Sequence, residues 1–173
     1  MKKGDKFVYK NKQYTAAGEP CHKGGKFGIE VEVEGNTFWK VARQYDIETN
    51  MAELALDNIV IQGEVIGEGI QGNHYKIKGH QFFVFDIYDL VKGQYLSPKD
   101  RREMASKLGL LHSPVLADIT LEQFATVQDV LVFADGVSVL NNDVLREGVV
   151  FKQHEGHIHF KAVSAKYLLK TGE

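Results

Sequence analysis

The sequence predicts an α+β domain with antiparallel sheets and flanking helices. Two apolar runs, 59–66 and 82–90, are bounded by Gly, Asn and His and read as buried strands. A third stretch, 28–34, alternates strictly, with Ile29, Val31 and Val33 opposite Glu30, Glu32 and Glu34, as a half-exposed strand does. Helix signals fall between such runs without a regular βα alternation, which disfavours a parallel sheet.

Taken in order, the chain opens on a weak alternation around Phe7, Val8 and Tyr9, a strand or hairpin arm, followed by a glycine-rich loop over 16–28. Asn36 or Thr37 caps a helix whose apolar stripe is Phe38, Val41, Ala42 and Tyr45. A short helical turn is expected over 51–56. The segment 74–78 alternates and reads as strand. Ser97, Pro98 and Asp100 make a helix start that Gly109 ends, and 110–119, with Pro114, reads as extended. A second helix is expected from Thr120, with Gln123 completing a capping box and Gly136 closing it. Residues 148–152 and 158–163 read as strands, and 165–170 as a terminal helix. No repeat or linker-like tract divides the chain, so a single domain over 1–173 is expected.

The totals narrow the classes. A chain of 173 residues can bury a real core. A net charge of −2 leaves no global basic footprint, so any nucleic-acid contact must be local. The single Cys21 excludes an internal disulfide framework and a cysteine-rich zinc site. No apolar run approaches the roughly 18–20 residues of a membrane span, and no apolar segment follows Lys2, Lys3 and Lys6 as in a signal peptide. A soluble, cytoplasmic protein is expected.

The apolar runs hold Glu64, Asp86 and Asp89. A carboxylate in an apolar strand costs several kcal/mol unless a cation or donors meet it, so these acids mark a candidate site. One such acid is readily explained as solvated at a strand end; three, with basic partners downstream, are less so. Gly67-Glu68-Gly69-Ile70-Gln71-Gly72 matches a dinucleotide fingerprint, but no helix pattern follows to meet a pyrophosphate, and the glycines read as turn residues. His154, His157 and His159 place two imidazoles on one strand face. No cysteine or second cluster supports a metal site there, and the segment reads as an exposed hairpin.

A more specific pattern is distributed along the chain: Gly63-Glu64, Phe85-Asp86, Glu147-Gly148 leading to Lys152, then Phe160-Lys161 with Lys166. Nucleotidyl transfer needs such parts. Lysines neutralise phosphate oxygens, carboxylates hold a divalent cation or a ribose hydroxyl, and an aromatic face stacks on a base. These blocks resemble those of the covalent nucleotidyltransferases, in particular the ATP-dependent RNA ligase family that includes the phage double-strand RNA ligases. The strings QGEVIGEGIQGNHYKI, FFVFDIYD, REGVVFK and HFKAVSAKYLLK carry the resemblance, which runs from about residue 36 to 170.

That resemblance implies an adenylation domain that uses ATP with Mg²⁺ or Mn²⁺ to seal RNA ends through AMP transfer. It implies ribose contact by Glu64 and adenine stacking by Phe85. Asp86 would support the site and its metal, Glu147 would serve metal binding and catalysis, and Lys161 would meet the α-phosphate. Lys152 would be a further phosphate contact, and Lys166 would in part replace the second lysine of the family's K-x-K pair, where this sequence has Val163. The family's nucleophile is a lysine in K-x-D-G, which this sequence lacks; the nearest string is Lys2-Lys3-Gly4-Asp5. An N-terminally incomplete domain is therefore expected, with a missing segment or a partner chain as the source of the lysine. The second reading is a non-catalytic nucleotide- or RNA-binding remnant of a ligase domain.

Overall fold

The computed structural model describes residues 6–9, 12–15, 35–154 and 158–172. The chain divides into two units, Met1–Lys40 and Val41–Glu173. In the first, β1 (Lys6–Tyr9) and β2 (Lys12–Thr15) pair antiparallel as a hairpin, the arm the sequence predicts. The expected loop over 16–28 and strand over 28–34 lie outside the described residues, as do Lys2 and Lys3.

Helix α1 (Thr37–Gln44) starts at Asn36, whose Oδ1 accepts from the backbone N–H of Phe38 at 2.8 Å and of Trp39 at 3.3 Å. Of the expected stripe, Val41 is buried, while Phe38 is 68% exposed. Helix α2 (Ile47–Glu53) begins four residues before the expected turn.

The second unit is organised by β3 (Ile59–Gly67) and β4 (His80–Asp89), paired antiparallel. On the far edge of β4 lie β5 (Gln94–Tyr95), antiparallel, and β6 (Leu111–His112), parallel. The register contains one irregularity. Gln62 faces Asp86, but Gly63 faces Val84, so Phe85 is an extra residue on β4. An insertion of one residue changes which side chains share a face. Ile59, Ile61, Phe82, Val84 and Ile87 turn to a core completed by Ala105, Leu108 and Leu110. Phe83, paired with Glu64, and Asp86, paired with Gln62, fall together on the opposite face. Gly63 permits the bulge, since a Cβ there would lie 2.3 Å from the Phe82 ring and 2.7 Å from the Phe83 carbonyl oxygen.

Helix α3 (Pro98–Lys107) closes that core and starts as its sequence requires. Ser97 Oγ accepts from Asp100 N–H at 3.1 Å and donates to the Asp100 carboxylate at 2.8 Å. The expected second helix starts later than Thr120. A single turn over Leu121–Gln123 gives way to extended Phe124, and α4 (Val127–Ala134) begins at Thr126. Thr126 and Asp129 form a reciprocal capping box, which satisfies two N-terminal donors; the side chain of Thr120 caps nothing.

β7 (Gly148–Lys152) and β8 (His159–Val163) form an antiparallel hairpin, followed by α5 (Ala165–Thr171), capped by Ser164. Phe151 and Phe160 are cross-strand partners stacked at 4.7 Å, and Phe124 and Phe133 meet Phe151 edge-on or tilted at 6.0 and 5.9 Å. This aromatic cluster anchors one face of the hairpin. Gly148, Val150, Lys152, His159 and Lys161 occupy the other. A Cβ on Gly148 would lie 2.2 Å from the backbone oxygen of Ala162, with no flexible side chain to give way. Gly148→Ala is expected to lose about 1–3 kcal/mol, read in thermal melts as a fall of about 2–4 °C in Tm per kcal/mol; an unchanged Tm would refute the steric argument. Among the described residues no helix is long and apolar enough to cross a membrane.

Candidate functional site

The polar face of β4 and the free face of the β7–β8 hairpin line a cavity of about 240 Å³. Around it stand Glu64 and Ile66 from β3, Phe83 from β4, Val150 from β7, Lys161 from β8, and Glu147 at the head of β7. Strand parity delivers most of them. Glu64 and Phe83 are register partners, and so are Val150 and Lys161.

Glu147 is set by its neighbour. Arg146 spans the C-terminal end of α4, its Nε donating to the Ala134 carbonyl at 2.9 Å and its Nη2 to those of Phe133 and Asp135 at 2.5 and 2.8 Å. These are the carbonyls that a helix end leaves without partners, so a cation there is doubly favoured. Ser164 N–H also donates to the Glu147 carbonyl at 2.8 Å. The side chain of Glu147 accepts from Lys161 Nζ, and both groups are nearly half exposed. At that exposure such a pair is worth about 0–1 kcal/mol. An incoming anion can take Lys161, and a cation Glu147, at small cost.

Asp86 stands in a different situation. Its Oδ1 accepts from Arg101 Nη1 at 3.2 Å and its Oδ2 from Lys152 Nζ at 2.7 Å, with all three side chains largely buried. Arg101 Nε donates to His112 Nε2 at 3.0 Å, and His112 Nδ1 donates to the Ser113 carbonyl at 2.6 Å. That arrangement requires the neutral ring, and burial pushes the His112 imidazole below its ordinary range, aided by Arg101 and against the Ser113 bond. Lys152 Nζ also donates to the Phe85 carbonyl at 2.8 Å and sits 5.6 Å from the Phe85 ring centroid.

Asp86, Arg101 and Lys152 line a second cavity, of about 290 Å³, with Tyr95, His154 and His159. The expected metal pair of Glu147 and Asp86 is thus divided between two cavities, because the bulge carries Asp86 one step further along the groove than Phe83. Both Asp86 oxygens are taken by cations. Among the described residues no three His, Cys, Asp or Glu side chains are grouped to hold a metal ion. Of the histidine motif, His154 pairs with Asp118 at 3.1 Å and His157 lies outside the described residues.

Lys166 is held by Asp135 at 3.7 Å rather than at the first cavity. Asp135 in turn accepts from Ser164 Oγ at 2.7 Å, and that bond first, with Lys166, holds its carboxyl below the usual range. Phe85 is 38% exposed and borders neither cavity, whereas Phe83 borders the first.

A model of the RNA ligase family matches residues 7–168. The chain belongs to the RNA ligase family. Its fold is the α+β arrangement expected of that family. Solved structures of Naegleria gruberi RNA ligase are similar to it. A lysine-to-methionine variant with AMP and manganese is 42% identical, with a TM-score of 0.75 over 81% of this chain. A glutamate-to-alanine variant with AMP and manganese is 41% identical, with a TM-score of 0.75 over 81% of this chain. A lysine-to-alanine variant with ATP and manganese is 41% identical, with a TM-score of 0.76 over 82% of this chain. The glutamate and lysine replaced in those last two stand fourteen residues apart in that ligase. The chain spans 42% of the length of these solved chains. Among curated proteins none matches.

Of the residues expected from the sequence, Glu64, Glu147 and Lys161 meet at one cavity of this RNA ligase family member; Asp86 and Lys152 meet at its neighbour. Sequence reasoning missed Phe83, Tyr75, Arg101 and Arg146. The alternation over 74–78 predicts a strand at Tyr75. It lies instead in an irregular connection in which Gln71, Asn73 and Lys76 have φ of 42°, 48° and 55°. Such residues cost roughly 1–2 kcal/mol each. Asn73 offsets part of this by bonding both the N–H and the carbonyl of Ile77, each at 2.9 Å. The strand signal of alternation was present there; the glycines before it were the better guide.

Proposed function

We propose that this chain binds a nucleotide in the cavity around Glu64, Phe83, Val150, Glu147 and Lys161, and uses it to seal RNA ends through AMP transfer. The observation that carries this reading is the convergence at one site of two carboxylates, a lysine and apolar side chains from two sheets. Phe83 and Val150 line the cavity from different sheets, apolar surface suited to a base. Glu64 contacts the ribose, and Lys161 neutralises the α-phosphate. Lys152 steadies the base end through Asp86, and Lys166 becomes a phosphate contact on leaving Asp135.

The donor set fits the cofactors named. Glu147 offers hard oxygen ligands for Mg²⁺ or Mn²⁺, which would supply charge stabilisation at the transferred phosphate. Glu147 and Lys161 also stand fourteen residues apart, as do the two residues replaced in the Naegleria ligase. AMP passes to an RNA 5′-phosphate, and the neighbouring 3′-hydroxyl then displaces it. The sequence contains no K-x-D-G. That favours work on RNA already carrying AMP, or a lysine supplied by another segment or chain.

Isothermal titration with ATP and Mg²⁺ tests the reading. Binding is expected, and Glu64→Ala and Lys161→Ala should each weaken it about tenfold, about 1.4 kcal/mol for one charge-assisted contact. Absence of binding, or variants that bind as tightly, would sink the proposal.

A further inference from the structure

Among the side chains of the first cavity that the reading above does not use are Tyr75 and Ser113, and of these only Tyr75 carries a phenol. Tyr75 borders it beside Glu64, Glu147 and Lys161. Its position is held from three sides. Asn141 Nδ2 donates to the Tyr75 carbonyl at 3.0 Å. His74 Nε2 bonds the Leu145 carbonyl at 2.7 Å. The His74 ring packs edge-on against both Tyr75 and Tyr167, each at 5.1 Å. These bonds tie the strained 70–78 connection to the loop that leads into Glu147 and hold the backbone at Tyr75.

A phenol is protonated throughout the physiological range and can donate. The Glu64 carboxylate, which lines the same cavity, offers acceptors. A donor beside an acceptor is what a hydroxyl group requires, because one hydroxyl oxygen both accepts and donates. A phosphate oxygen would be matched by Tyr75 and repelled by Glu64, and a base already has the apolar surface of Phe83 and Val150.

We infer that Tyr75 determines specificity for the ribose, its phenol donating to the ribose hydroxyl whose own proton Glu64 accepts. This rests on the nucleotide-binding reading above. Glu64 and Tyr75 then form a two-point reader that a deoxynucleotide satisfies poorly, since loss of the hydroxyl leaves both groups without their partner.

The test is titration of the full chain and of Tyr75→Phe with ATP, 2′-deoxy-ATP and 3′-deoxy-ATP. The unsubstituted chain should bind ATP about five- to tenfold more tightly than one of the two deoxy analogues. In Tyr75→Phe that ratio should fall to about two or less, mainly through weaker ATP binding. Phenylalanine keeps the ring against His74, and any misfolded fraction lowers the active concentration for all three nucleotides alike, so the ratio is its own control. Equal affinity of the unsubstituted chain for all three nucleotides, or a ratio that survives Tyr75→Phe, overturns the role of Tyr75 while leaving nucleotide binding intact. No ATP binding by the unsubstituted chain overturns both.

Discussion

Glu147→Gln is expected to reduce sealing of pre-adenylated RNA ends by at least about 100-fold, a loss of about 2.7 kcal/mol or more in transition-state stabilisation. The substitution preserves shape and removes charge. Glu147 borders the cavity, carried by the Arg146 clamp on α4 and by the Ser164 bond to its own carbonyl, and neither uses its carboxylate. The fold should therefore survive while the group that can hold a divalent cation weakens. Its present bond to Lys161 contributes little, because both partners are so exposed. Single-turnover sealing with Mg²⁺ or Mn²⁺, beside a thermal melt, separates the outcomes. A rate within a few-fold of the unsubstituted chain would remove Glu147 from the reaction. A collapsed melting transition would make its role structural.

Asp86→Ala is expected to be the most destabilising single change near the site. It leaves Arg101, 7% exposed, and Lys152 facing each other without the carboxylate that both donate to. Removing one member of a buried ion network costs about 3–5 kcal/mol, because the charges left behind stay desolvated. The fall in denaturant midpoint should be largely recovered by adding Arg101→Met, which removes one orphaned cation and keeps the volume. If Asp86→Ala melts like the parent, or the double variant is no better than the single, the network does not hold the strands together as its distances indicate. This network also decides where Asp86 acts. A carboxylate whose two oxygens are bonded to cations is costly to free for a metal, whereas Glu147 is cheap to free. The two acids that the family resemblance joins as metal ligands are separated by that difference.

Much of the fold was legible before any coordinate. The alternation in Gly148–Lys152 assigns Phe151 to one face and Val150 with Lys152 to the other, and the structure places Phe151 in the aromatic cluster and Val150 at the cavity. The caps at Asn36 and Ser97 depend on residues within one turn of each other, so local chemistry suffices to predict them. The same local reasoning erred where two caps competed. Thr120 and Thr126 both offer a hydroxyl with a side chain three residues on, and only the Thr126–Asp129 box closes on both sides.

What the sequence by itself determined is the long pair β3 and β4, the β7–β8 hairpin, their apolar faces and the family, with Glu64, Glu147 and Lys161 as candidates. Only the tertiary structure decided which of these side chains meet. The extra residue at Phe85 shifts strand parity by one and puts Phe83 beside Glu64, and composition and periodicity do not register an insertion of one. Tyr75 reaches the cavity through bonds to Asn141 and Leu145, 66 residues from Tyr75 and 71 from His74 along the chain. Asp86 is claimed by Lys152, 66 residues away. Pattern over a dozen residues reports local geometry; contacts of that separation exist only once the sheets have packed.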